Sequence, residues 1–387
     1  MKSRHLSLTG FSARPPPRAL PQRESLDWLA DIHAAAEATL EGLDPSERDA
    51  FAIRLRRVMD RVACGPSSIA WRASVLAEVG SAEWSKASLY DPTTRPHGAG
   101  TDARNKAFAE HVNAYFEEEY ADVDRAPKDL IHVTCSGYVA PSGAQRVVAA
   151  KGWGALTRVT HAYHMGCYAS LPATRMACGY IWSESLREME ADRRVDIVHT
   201  ELCSLHLDPS DHTLEQLVVQ SLFADGDIRY SVKDRGDYPG LEILALAEEI
   251  LPSSADSMSW AVSDFGMRMT LSREVPDQIA GVLRKFVAEL YLRADLQLGD
   301  TLAGTVFAVH PGGPKIIDRV AQVLELAPGQ VQASREVLFE HGNMSSATLP
   351  YIWMRVIADD RVVAGTLVLS LAFGPGLTIS GGLFRKH

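Results

Sequence analysis

The 387-residue sequence contains no uninterrupted apolar run near the ~20 residues that cross a bilayer, so a helical membrane span is not expected. The first 23 residues carry five Lys or Arg and no acid, yet they lack the apolar stretch of a secretory signal. Cysteine is scarce. Cys64, Cys135, Cys167, Cys178 and Cys203 form an odd set without framework spacing, which points to reduced thiols and a cytoplasmic location. Positive charge is in the minority, 39 Lys and Arg against 49 Asp and Glu, and the net charge of −10 argues against general affinity for nucleic acid. No short-period repeat is visible, and no Gly-rich stretch has dinucleotide or P-loop spacing. What remains is a globular composition, 46% hydrophobic and 23% charged, long enough for a large core in two halves.

Apolar runs predict strands at 6–11, 130–135, 156–163, 195–205, 305–309, 362–372 and 377–384. Helical spacing predicts helices within 24–79, and at 103–119, 144–150, 214–223 and 276–292. The segment 227–267 has no clear period. Strands alternating with helices argue for a layered α/β fold, divided into 1–235 and 236–387.

The stretch from Thr160 to Leu171 holds the chemistry. An apolar run stops at Gly166-Cys167, and a helical pattern follows from Tyr168, with Pro172 near the helix start. A cysteine where a strand gives way to a helix has amide dipoles behind its sulfur, which favours a reactive thiolate. A lone cysteine is more often a small buried hydrophobe. The spacing His161-x2-His164-x2-Cys167 imitates a metal site, but ligands spaced by two across a strand-to-helix junction point in different directions, and no second cluster offers a fourth; no metal is expected. On the helix around Phe51 to Val62, Arg54, Arg57 and Arg61 recur at i, i+3, i+7 and so share one stripe, either a solvated face or a dock for phosphates.

Three segments then align in order. Met165-Gly166-Cys167-Tyr168, His310-Pro311-Gly312-Gly313-Pro314 and Gly342-Asn343-Met344-Ser345-Ser346-Ala347 resemble the nucleophile, histidine and asparagine motifs of chalcone synthase-like type III polyketide synthases. Phe373-Gly374-Pro375-Gly376-Leu377-Thr378 resembles that family's C-terminal signature loop. The resemblance runs from about Leu130 to the end and is weaker before it.

The resemblance implies a thiolase-like αβαβα fold of two pseudo-equivalent halves, a homodimer, and a Cys167-His310-Asn343 triad at the end of a pantetheine tunnel. It implies thiolate attack on an acyl thioester, His310 holding the thiolate as an ion pair, and His310 with Asn343 donating to the enolate oxygen. No metal or redox cofactor is implied; substrates arrive as thioesters of coenzyme A or of a carrier protein's phosphopantetheine. Arg54, Arg57 and Arg61 match the positions that meet coenzyme A phosphates. Phe223 matches one aromatic gatekeeper, while Met269 stands in place of the other. Cys135 and Ser136 fall at cavity positions that steer cyclisation. Ala140 replaces a methionine that reaches the partner's cavity, and Trp260 replaces a small wall residue.

Two versions of the chemistry are implied: iterative extension of an acyl-CoA starter with malonyl-CoA, or, as in stand-alone ketosynthases of myxopyronin-like antibiotics, joining of two carrier-bound β-keto chains into an α-pyrone. The adaptable Met269 and the altered cavity favour the second. A ketosynthase III-like initiator and a non-catalytic thiolase-fold partner subunit are the alternatives.

Overall fold

The computed structural model describes residues 5–184 and 193–387. The first half runs β1 (Leu6–Arg14), β2 (Arg18–Pro21), α1 (Gln22–Glu41), α2 (Pro45–Val62), β3 (Trp71–Ser74) and α3 (Thr101–Glu119). It continues with β4 (Asp129–Thr134), α4 (Gly143–Ala150), β5 (Arg158–Tyr163), α5 (Ser170–Glu184), β6 (Val195–Leu202), α6 (Leu214–Leu222) and β7 (Asp225–Asp234). The second half opens with β8 (Leu241–Ile250), the hairpin β9 (Met258–Ser263) and β10 (Gly266–Leu271), α7 (Val275–Arg293) and the one-turn α8 (Leu298–Thr301). It ends with β11 (Val306–Val309), α9 (Pro314–Leu324), α10 (Gln332–His341), α11 (Thr348–Ala358), β12 (Leu367–Gly374) and β13 (Thr378–Lys386).

Local chemistry sets several of these boundaries. Asp44 caps α2, accepting from Ser46 N–H at 2.8 Å and Glu47 N–H at 2.9 Å, with Pro45 in the first turn, where no backbone donor is needed. Ser142 caps α4 and Gln145 returns the bond, a reciprocal box. Pro314 starts α9 directly after the Gly312-Gly313 pair.

Nine strands form one sheet in the order β11-β12-β13-β8-β1-β7-β6-β4-β5. Within the first half β5, β4 and β6 are parallel, and β7 and β1 are antiparallel additions. The second half repeats the scheme without an outermost strand: β11 and β12 are parallel, and β13 and β8 are antiparallel additions. Within the large sheet the halves meet where β1 pairs with β8, at Ser7↔Glu242 and Leu8↔Leu241, and residues 235/236 lie between β7 and β8.

Alternation of side chains separates the layers. Leu130 of β4 and Val198 of β6 face a core built with α1, α2, α3 and α4. Their neighbours Ile131 and Ile197 face a second core that holds α5 and α11 together with Val368 and Ala372 of β12. Leu369 and Leu371 of β12 face a third, with α7 and α9. Helices thus lie outside both half-sheets and between them, which is the αβαβα layering.

Residues 24–79, expected to be helical throughout, instead form α1, α2 and the β3 strand. The unpatterned 227–267 holds most of β7, all of β8 and β9, and the start of β10. Leu241–Ile250, LEILALAEEI, is composed of helix formers; strand neighbours β13 and β1 on its two sides override that preference.

Candidate active site

Cys167 sits in the turn between β5 and α5, three residues before the helix begins. Gly166 has φ +89, and a Cβ there would come within 2.3 Å of Pro375 Cδ. A Cβ on Gly374 would meet Tyr168 Cδ1 at 2.1 Å. The nucleophile turn and the C-terminal signature loop therefore clasp each other through two glycines, one on each side.

The cavity at Cys167 is small, about 30 Å³, and is lined by Cys135, Ser136, Glu201, Cys203, Phe223, Trp260, Met269 and Ser345 among others. A second cavity of about 70 Å³ lies beside it, between α1, β3 and α6. Cys203, Phe223, Trp260 and Met269 line both, so they form the partition. Ala140 is exposed and lines neither.

The Cys167 thiol donates to Ser345 Oγ at 3.7 Å. Ser345 N–H donates to Asn343 Oδ1 at 2.9 Å, which turns the Asn343 amide so that its nitrogen is left over. Asn343 Nδ2 is buried with no partner among the described residues. His310 follows β11, its backbone N–H bonded to Leu371 O of β12, and both of its ring nitrogens are likewise buried and unpartnered. Asn343 is thus tied to Cys167 through Ser345, whereas no hydrogen bond joins the His310 ring to the sulfur.

Burial works against the expected ion pair. Burial pushes the Cys167 thiol up to about 12; the Ser345 hydrogen bond opposes this, and nearby Glu201 adds to it. Burial pushes His310 down to about 3. Both shifts favour a neutral thiol and a neutral imidazole over the ion pair. Desolvation is the largest cause at both groups, and no hydrogen bond from the His310 ring offsets it at the sulfur.

A further residue, Glu201, has little signal in sequence beyond being a carboxylate inside an apolar strand. It is fully buried at the end of β6, accepting from Cys135 N–H at 2.9 Å, Ser136 Oγ at 3.1 Å, Ser346 N–H at 3.3 Å and the Ser346 hydroxyl. Burial raises its pKa, and these bonds work against that rise.

Arg54, Arg57 and Arg61 lie exposed along α2, away from both cavities. Arg54 stacks over Phe51, and none of the three is in an ion pair with a described residue. Arg56 beside them pairs with Asp31 and Asp27. Among the described residues no group of three or more His, Cys, Asp or Glu could hold a metal, and no helix is long and apolar enough to cross a membrane.

Residues 242–386 match the chalcone and stilbene synthase C-terminal domain, a span that includes His310, Asn343 and the signature loop. Type III polyketide synthase C of Arabidopsis thaliana is 30% identical over 276 residues, covering 68% of this chain and 69% of that protein. The chain belongs to the type III polyketide synthase family. Bisdemethoxycurcumin synthase of Oryza sativa subsp. japonica is 31% identical over 280 residues, 68% of each chain. The C-terminal type III polyketide synthase domain of Steely1, from Dictyostelium, superposes with a TM-score of 0.80 at 21% identity, over 98% of this chain and 99% of that one. The fold is thus the thiolase-like fold of the family, and the protein is a type III polyketide synthase-like condensing enzyme.

Proposed function

We propose that Cys167 carries the acyl group of a Claisen-type condensation, that His310 and Asn343 hold the reacting oxygen, and that two β-keto chains are joined and closed to an α-pyrone. The observation that carries this reading is the set of buried, unpartnered nitrogens: Asn343 Nδ2 and both ring nitrogens of His310. Leaving such groups unpaired costs about 1–3 kcal/mol each. A ligand oxygen between them recovers that cost.

A neutral imidazole offers one N–H and one lone pair. The Cys167 sulfur attacks the acyl thioester carbon while its proton passes to the His310 lone pair, and the departing carrier thiolate is reprotonated. His310, neutral again once it has reprotonated the carrier thiolate, takes the C2 proton of the second β-keto thioester, and the enolate oxygen receives hydrogen bonds from the imidazolium and from Asn343. The enolate carbon attacks the acyl-cysteine carbonyl, and the imidazolium then returns its proton to the departing Cys167 sulfur. In the joined product an enol oxygen closes on the remaining thioester carbonyl, forming the lactone and releasing the second carrier thiol. No metal or redox cofactor enters any step.

The two adjacent cavities with a shared partition favour chain joining over iterative extension, because each acyl group then approaches Cys167 from its own side; at about 30 and 70 Å³ they take only the first carbons of a chain. Met269 in that partition is more adaptable than an aromatic ring. The unpaired Arg54, Arg57 and Arg61 suit the phosphates of coenzyme A or of a carrier protein's pantetheine arm. A homodimer is supported by β5, which ends the sheet and leaves an edge for a second copy.

Intact-protein mass spectrometry after separate exposure to acyl-CoA and acyl-carrier protein tests the donor, with an adduct on Cys167 expected. Turnover with malonyl-CoA, and none with two preformed β-keto thioesters, would reject chain joining and leave the iterative reaction.

A further inference from the structure

The β9–β10 hairpin belongs to the second half by chain order and stands outside the large sheet, yet groups of the first half hold it. Gln216 Nε2 donates to Met269 O at 2.7 Å, and Gly266 N–H donates to Thr101 Oγ1 at 2.9 Å. At the end nearest the nucleophile, His164 Nε2 donates to Trp260 O at 2.7 Å. The Trp260 indole N–H donates to Cys135 O at 2.7 Å, and Gly166 N–H donates to Cys135 Sγ at 2.9 Å. His164 and Gly166 are two residues apart, so these bonds close a ring. It runs from the nucleophile turn to the hairpin, on to the end of β4, and back to the turn.

His164 is held at φ 60, a left-handed conformation uncommon for non-glycine residues, though His, Asn and Asp adopt it more readily than others. A carbonyl only accepts, so Nε2 carries the hydrogen, and Nδ1 is left with a lone pair that is buried and unpartnered. An uncommon backbone conformation and an orphaned nitrogen are both maintained, and the bond that they accompany goes to the cavity wall.

We propose that His164 is a positioning residue that sets the distance between the Cys167 sulfur and the Trp260–Met269 partition, and through it the length of chain that passes between the two cavities. This rests on the condensing reading above. His164 touches no reacting atom. With its bond broken, the Trp260 end of the hairpin keeps only the indole bond to Cys135 beside the turn, and the passage there widens in favour of long chains.

The test compares His164→Gln, whose amide nitrogen reaches the Nε2 position, with His164→Asn, which tolerates the left-handed backbone but reaches only to Nδ1. Cys167 is preloaded with an acyl group, and single-turnover condensation is measured with a short and a long β-keto thioester. His164→Asn should raise the long-to-short rate ratio by about tenfold, the scale on which pocket shape discriminates chain length. His164→Gln should keep the wild-type ratio. An unchanged ratio in His164→Asn, with wild-type Cys167 acylated normally, overturns this inference alone. Failure of wild-type Cys167 to acylate overturns the condensing reading and this inference with it.

Discussion

Two sets of buried polar side chains, Glu201 on one hand and His310 with Asn343 on the other, are opposites. Glu201 has both oxygens engaged by four donors from two segments of chain. His310 and Asn343, equally buried, keep three nitrogens with nothing to bond. Burying a polar group is tolerable when it is paired and costly when it is not. The satisfied set is architecture, binding the ends of β4 and β6 to the 345–347 turn. The unsatisfied set is held for a ligand that supplies the missing acceptor.

The largest effect expected is at the Cys167 sulfur. Cys167→Ala should give no acyl adduct by mass spectrometry and no product, and product formation at the wild-type rate would remove Cys167 from the mechanism. The unsatisfied set comes next. Losing one oxyanion donor costs about 2.7–4 kcal/mol in the barrier, so His310→Leu and Asn343→Ala should each slow condensation by about 10²–10³-fold. His310→Leu should not lower thermal stability, since its ring makes no hydrogen bond. Asn343→Ala should, because Ser345 N–H loses its acceptor.

His310 also gives a pH signature. Its pKa is about 3 in the folded protein against 6.5 for an ordinary histidine, so below pH 6.5 the unfolded chain binds a proton that the folded chain refuses. Stability therefore falls as pH drops from about 6.5 toward 3, by up to ~1.4 kcal/mol per pH unit for this one group. His310→Leu should flatten the acid limb of the stability curve by that amount. A wild-type slope in the variant would mean that the ring is charged or solvated in the fold.

The satisfied set should behave in the reverse way. Glu201→Gln replaces one accepting oxygen by an NH2 that faces donors, and leaving a buried donor unpaired costs about 1–3 kcal/mol. The loss should appear in denaturant unfolding of the free enzyme. If Glu201→Gln were as stable as wild type yet impaired in condensation, the carboxylate would belong with the reacting groups and the contrast would fail.

How far sequence reaches follows the same line. The nucleophile turn, the His310 loop and the Asn343 segment are legible because each motif is contiguous, and its glycines answer local demands such as the 2.3 Å approach of Pro375 to Gly166. The strand at 129–134 is legible because burial on both faces writes a continuous apolar run. β8 is not legible, since its Leu, Ala and Glu content favours a helix and only β13 and β1 impose the extended form. Glu201 and His164 are not legible for a related reason. Their roles are defined by partners such as Ser346, Cys135 and Trp260, which lie far away in the chain. The neutral thiol at Cys167 is hidden too, because desolvation depends on the packed cavity and not on position before a helix.

The comparison extends to the surface, where its effects are smallest. On α1 and α2, Arg23 pairs with Asp27 and Asp60, and Arg56 pairs with Asp31, so these cations are satisfied. Arg54, Arg57 and Arg61 on the same helix as Arg56 are in no ion pair with a described residue, on a chain of net charge −10. Solvent makes the contrast shallow: exposed pairs are worth about 0–1 kcal/mol, so each arginine should change a Michaelis constant only a few-fold. Arg57→Glu should raise the constant for a coenzyme A or carrier-bound donor and weaken its dependence on salt, because exposed attractions are screened over about 10 Å at 0.1 M salt. An N-acetylcysteamine thioester lacks the phosphates and should be used equally well by variant and wild type. Arg56→Gln, which breaks a satisfied pair instead, should leave both Michaelis constants alone and shift thermal stability slightly. Equal losses with the phosphate-bearing and phosphate-free donors would assign the stripe to folding, and the distinction between paired and unpaired cations would then hold no information about binding.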